Sequence, residues 1–328
     1  MYEILRHEIN SIKRVYSYME ETDKQIAQKT MKKAFSRIGW AMTALIAVTY
    51  ATQFGLSRLM KYYIPQFLNN EVFWWILATI PLYIFGLGVL LLAVRGMPAA
   101  KMTEGKDLTA PQIGALTCIT LALSVAGGIA TLILNGILGL IKGSPVADPS
   151  STIENMSIIP TFLVVGIIAP VVEEYIFRGI LIDKLRAYGE AICVFASAFL
   201  FSLLHGNSYQ LISTFIIGAV LAYVTVKTNT IVYAILIHMS NNILAIIAAR
   251  ITTTQNVFGA AVFSVFTMAL IIAGFVFFGL SIKRISLDNG RNSISVWERL
   301  RVFILSPGVM VYTIINLLLI VFSIFFVS

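Results

Sequence analysis

The sequence predicts an all-α, polytopic membrane protein of about eight to nine spanning helices, with an amphipathic helix at the membrane interface before them. Three observations carry this reading. The 328 residues are 58% hydrophobic and only 12% charged, and the mean hydropathy is +0.85, far from the balance of a soluble domain. Windows of about 20 apolar residues, the length that crosses roughly 30 Å of hydrocarbon as a helix, recur along nearly the whole chain. The alternating pattern of a membrane barrel is absent, and helices are then the backbone form that satisfies its own hydrogen bonds in lipid.

The expected spans fall at about 39–59, 72–94, 112–141, 158–182, 190–205, 209–226, 230–249, 258–281 and 308–327, with the fifth and sixth short. Residues 1–38 hold no apolar core followed by a cleavage site, so no removable signal peptide is expected and the first span does the targeting. In this cytoplasmic segment Leu5, Ile9, Ile12, Tyr16 and Met19 recur at three- and four-residue steps, while Lys13, Arg14, Lys24, Lys32, Lys33 and Arg37 supply positive charge. That is the pattern of a helix lying on the inner membrane surface. A second such piece, "VWERLRVFIL" at 296–305, precedes the last span. Residues 39–328 read as one membrane domain, without internal repeat, low-complexity tract or long linker.

Orientation follows from the basic residues. With the N-terminus cytoplasmic, the inner segments hold eight basic residues before the first span, then Arg95, Lys101, Lys106, Lys184, Arg186, Lys227, Lys283, Arg284, Arg291, Arg299 and Arg301; Arg58, Lys61, Lys142 and Arg250 fall outside. This asymmetry accounts for the net charge of +8 through the cell membrane and the lipid bilayer alone, so no nucleic-acid partner is expected. Cys118 and Cys193 both fall in expected spans and read as small buried hydrophobes rather than a disulfide or a thiolate centre.

Against this background the stretch "VVEEYIFRGIL", 171–181, is anomalous. Glu173 and Glu174 are the carboxylates expected inside a span, where an ionised group costs a few kcal/mol. Glu174 and Arg178 stand at i and i+4 and can neutralise each other as a structural ion pair. Glu173 lies about 100° around the helix, and its own i+4 neighbour, Phe177, offers no charge. Two of the three histidines also fall in or at the end of spans. His205 closes "FLFSLLH", with Phe201 one turn before it and placed to pack on the ring. His238 opens "HMSNN", with Asn242 one turn on and sharing its face. These polar groups either join helices together, at about 1 kcal/mol each, or serve chemistry with the unpaired Glu173.

The three motifs, E-E-x-x-x-R at Glu173, Glu174 and Arg178, F-x-x-x-H at Phe201 and His205, and H-x-x-x-N at His238 and Asn242, resemble the signature of the CPBP family. This family comprises CAAX proteases and bacteriocin-processing enzymes and is also called the Abi family of intramembrane proteases. The resemblance covers about 158–250. It implies that Glu173 and His205 activate water and that His238 and Asn242 stabilise the oxyanion. Such a set meets the needs of amide hydrolysis: a base for water, a proton for the leaving amine and donors at the developing oxyanion. The expectation is therefore an intramembrane endopeptidase acting on a small peptide or a membrane-anchored protein, with no cofactor required. Glu173, His205 and His238 are also a donor set that a catalytic zinc would use, and a metalloprotease stays open because H-E-x-x-H is absent. The alternative function is a non-catalytic CPBP-type scaffold for bacteriocin immunity or signalling; a proton-coupled transporter is a more distant reading, since no paired broken helices occur.

One spacing resists. If the spans are straight and end where hydropathy places them, Glu173 lies near the inner end of the fourth span and His205 near the outer end of the fifth. Pro160 and Pro170 can set or kink the start of the fourth, or the fifth can begin outside the hydrocarbon near Tyr188 and Gly189.

Overall fold

The computed structural model describes residues 2–67, 70–99, 105–148, 156–253, 256–288 and 294–326, with the backbone path alone for 2–20 and 252–253. The apolar face read at Leu5, Ile9, Ile12, Tyr16 and Met19, with Lys13 and Arg14, therefore lies outside the described side chains, as do Lys101 and Arg291. Every regular element among the described residues is helical.

The chain opens on a single helix, α1, Tyr2–Tyr63. The expected interfacial segment and the first span are thus continuous, because no proline interrupts them and Pro65 ends the run. Next come α2, Glu71–Val94, α3, Ala110–Lys142, and α4, Ile158–Tyr188. Then follow α5, Glu190–Leu204, α6, Ser208–Thr228, α7, Val232–Thr253, and α8, Val257–Ser281. The short α9, Val296–Ile304, leads into α10, Pro307–Phe326.

Among the described residues seven helices are long and apolar enough to cross a membrane. Two of the nine expected spans differ. The window 39–59 is the C-terminal part of α1 and is not among the seven. The window 190–205 becomes α5, whose 15 residues rise only about 22 Å, short of the hydrocarbon thickness. Cys193 is buried, whereas Cys118 is only half-buried, on a face of α3 that meets α8.

Helices α1 and α10 cross in backbone contact. A Cβ on Gly39 would stand 2.1 Å from the Val309 nitrogen, and one on Gly308 would stand 1.9 Å from the Ser36 carbonyl oxygen. Small residues on both sides allow this approach where no hydrophobic effect drives helices together in lipid. Around the crossing, Phe35, Ile38, Met42 and Leu45 are fully buried, together with Phe303 and Tyr312.

Helix α4 carries the fully buried Glu174 and Arg178 and departs furthest from expectation. It continues six residues past the expected end at 182, carrying Asp183, Lys184 and Arg186 into the helix. Two of its stretches, Phe162–Ile168 and Tyr175–Leu181, are π-helical and flank the α-helical turns Ala169–Glu174. The chain then reverses at Gly189, whose φ of 97° is open to glycine and strained for other residues. Helix α5 returns beside α4, with Ser197 Oγ donating to the Phe177 carbonyl at 3.0 Å. Glu173 and His205 each lie sixteen residues from Gly189, about 24 Å of helical rise on either arm. The two arms of this hairpin bring both to one level, and the discrepancy left by the hydropathy spans disappears.

Candidate active site

A cavity of about 460 Å³ lies between α4, α5, α6 and α7. Glu173, His205, His238 and Asn242 all line it, with Phe201 as a shared wall. Four motif residues from three helices thus face one space. From that centre the lining continues through Ala169, Val165 and Thr161 on α4, through Gln210 and Thr214 on α6, and through Ala245, Ala249 and Arg250 on α7. All three helices contribute toward the same end, the one where α4 begins and α7 finishes.

Glu174 turns away from this space. Its Oε1 accepts from Arg178 Nη1 at 2.8 Å, with both side chains fully buried, and Arg178 Nη2 donates to the Gly218 carbonyl of α6 at 2.9 Å. The guanidinium lies over the Phe201 ring, 4.7 Å from its centre. An arginine in lipid is thereby surrounded by a carboxylate, a carbonyl and an aromatic face. The same Glu174 oxygen also meets His238 Nδ1 at 2.9 Å. The motif spacing does not reveal this second contact, because it joins α4 to α7 and depends on how they cross.

The hydrogen bonds fix what each imidazole can offer. His205 Nδ1 lies 3.0 Å from the Phe201 carbonyl. A carbonyl only accepts, so Nδ1 carries the proton and Nε2 presents a lone pair. His238 Nδ1 likewise donates to the Glu174 carboxylate, leaving Nε2 toward Glu173, whose Oε2 stands 3.8 Å away. That gap is too wide for a hydrogen bond and suits one water touching both atoms. The Phe201 ring meets His205 edge-on at 4.9 Å and His238 at 5.9 Å, so it buttresses both rings. Glu173 keeps 18% of its side chain exposed, against 0% for Glu174.

Asn242 is held by a defect in α4. A π-helical donor to the Val165 carbonyl would be residue 170, a proline without an N–H. Ala169 N–H is directed to Val164 instead. Asn242 Nδ2 donates to Val165 O at 2.8 Å in its place, which leaves its second N–H and its oxygen for other partners. Pro170 therefore acts less as a kink than as the origin of an orphan carbonyl that fixes the carboxamide.

Glu173, His205 and His238, the set named for a metal, share the cavity. Among the described residues, however, no group of three or more His, Cys, Asp or Glu side chains is gathered so that it could hold a metal ion.

The fold and this cavity define a polytopic, all-helical membrane protein with an acid, two imidazoles and a carboxamide facing one intramembrane space. Residues 155–244 match the family model described as Type II CAAX prenyl endopeptidase Rce1-like, which is consistent with the CPBP family that the three motifs resemble. The match takes in every motif residue and leaves out α1 to α3 and α8 to α10. No curated protein and no solved structure matches the chain.

Proposed function

We propose that the protein is an intramembrane endopeptidase that hydrolyses a peptide bond in a small peptide or a membrane-anchored protein, with water activated by Glu173 and His205. The observation that carries this is the convergence of Glu173, His205, His238 and Asn242 on one cavity, while the neighbouring Glu174 is consumed by Arg178 and His238. A scaffold has no need of a second carboxylate inside its spans, where its burial is costly.

In the reaction, water sits between Glu173 Oε2 and the two imidazoles. Glu173 accepts a proton from it, and His205 Nε2, a lone pair held by the Phe201 carbonyl behind it, orients the water by accepting the other hydrogen. The resulting hydroxide attacks the scissile carbonyl carbon. The oxyanion that forms is met by the second N–H of Asn242 and by His238 Nε2. For this, His238 donates through a protonated Nε2 while its Nδ1 stays bound to the Glu174 carboxylate. The proton on Glu173 then passes to the leaving amine as the C–N bond breaks. No metal is needed for these steps.

On the expected orientation, with the N-terminus cytoplasmic, the cavity extends from the catalytic centre toward the outer end of the bundle. Substrate would enter between α4 and α7. The test is comparative profiling of new peptide termini in membranes carrying the wild-type protein or Glu173→Gln. New termini that depend on Glu173 support the proposal; identical profiles at matched protein levels contradict it.

A further inference from the structure

A second cavity, of about 480 Å³, lies far from the catalytic one, between the early part of α1 and α9. Gln25, Gln28, Lys29 and Lys32 line it on α1, and Glu298, Arg301, Val302 and Leu305 line it from α9 and its cap. Both sets follow the i, i+3, i+4, i+7 spacing of one helical face, so two stripes face each other across a groove. The helices are fastened beside it by a Lys24–Glu298 ion pair at 2.7 Å and by the Phe35 and Phe303 rings, edge to face at 5.5 Å. The capping box of Ser295 and Glu298 fixes the start of α9.

The charge balance of the groove is one-sided. Lys24 beside Glu298, with help from the Ser295 backbone, holds that carboxyl below the ordinary carboxylate range, so the one acid in the lining is ionised and already matched. Lys29, Lys32 and Arg301 remain as three exposed cations over a floor of Val302 and Leu305. The location is also specific. Only Ser306 separates Leu305 from the spanning helix α10, Ile304 and Leu305 are exposed, and Trp297 is 81% exposed. An exposed tryptophan on a short helix that leads into a span fits the interfacial belt.

We propose that this groove binds one anionic phospholipid, with its phosphate between Lys29, Lys32 and Arg301 and its acyl chains running over Val302 and Leu305 into the bilayer. The lipid bridges α1 to α9. Because Arg299 Nη1 on α9 donates to the Tyr188 carbonyl at 2.6 Å, it also steadies the inner end of α4. Basic side chains near an anionic bilayer surface act additively at short range, and here three are prearranged around one headgroup.

The experiment uses the full-length protein in nanodiscs of phosphatidylcholine, alone or with a minor share of phosphatidylglycerol. Native mass spectrometry reads retained lipid and thermal unfolding reads the midpoint. The wild type is expected to retain one phosphatidylglycerol and to unfold at a higher temperature when it is present. K29Q/K32Q/R301Q is expected to bind it about 10²-fold more weakly and to lose the shift, while keeping the wild-type midpoint in pure phosphatidylcholine. K283Q/R284Q, a charge change elsewhere among the expected inner segments, keeps both. Equal loss in the two variants would overturn the proposal in favour of bulk surface charge. An equal midpoint shift from soluble glycerol phosphate would overturn the lipid assignment in favour of a free anion. Should the triple variant fold poorly, Arg301→Gln alone carries the same comparison.

Discussion

His238 Nδ1 and Glu174 Oε1 stand 2.9 Å apart, so the carboxylate that neutralises Arg178 also orients an imidazole of the cavity. The two glutamates of the motif are therefore divided by geometry. One is locked into a buried cation–carboxylate–imidazole cluster, and the other faces the open space.

Glu174→Gln should cost stability first. It leaves Arg178 as a buried charge without its partner, a loss of about 3–5 kcal/mol for buried pairs in general, and it alters the group that holds His238 Nδ1. Thermal unfolding in detergent checks the first effect, and purified yield should fall with it. A variant as stable as the wild type would show that the Gly218 carbonyl and the Phe201 ring suffice for Arg178.

Asn242→Ala should lower stability by about 1–3 kcal/mol, because the Val165 carbonyl that Pro170 leaves without a donor would then be buried and unsatisfied. If the carboxamide also meets the oxyanion, turnover should fall by about 10²–10³. Pro170→Ala separates the two roles: it restores a backbone donor to Val165, so the double variant Pro170→Ala, Asn242→Ala should recover stability without recovering turnover.

Gly189→Ala tests the hairpin that levels Glu173 with His205. A side chain at a φ of 97° is strained by about 1–3 kcal/mol, and relaxing the turn would shift one arm along the other. Reduced turnover with the two carboxylates intact is the expected outcome, read from kinetics beside the unfolding midpoint.

Much of this was legible in the sequence. The helical class follows from composition and window length, and the separation of Glu173 from Glu174 follows from the position of Arg178. What composition could not show is where helices end and how they cross. The continuation of α4 to Tyr188 is polar, with Asp183, Lys184 and Arg186, so hydropathy stops short of it. Its π-helical turns leave no apolar period to read. The contacts of His238 with Glu174 and of Asn242 with Val165 join residues 64 and 77 positions apart, beyond the reach of any local pattern.

The proposed water mechanism, which uses no metal, gives a separate expectation. Thorough chelation of the purified protein should leave activity unchanged, and elemental analysis should find well under one metal per chain. Activity lost on chelation and restored by zinc, with His205→Ala and His238→Ala each lowering zinc content, would replace the water mechanism with a metal-centred one.

The most direct measurement compares wild-type protein and Glu173→Gln, purified and reconstituted with a cleaved substrate, for turnover and thermal unfolding together. The substitution keeps the side chain's volume and removes the base. Glu173→Gln should keep the unfolding midpoint and lower turnover by about 10²–10⁴, the share a positioned general base supplies. Wild-type turnover in a folded Glu173→Gln protein would contradict the water mechanism.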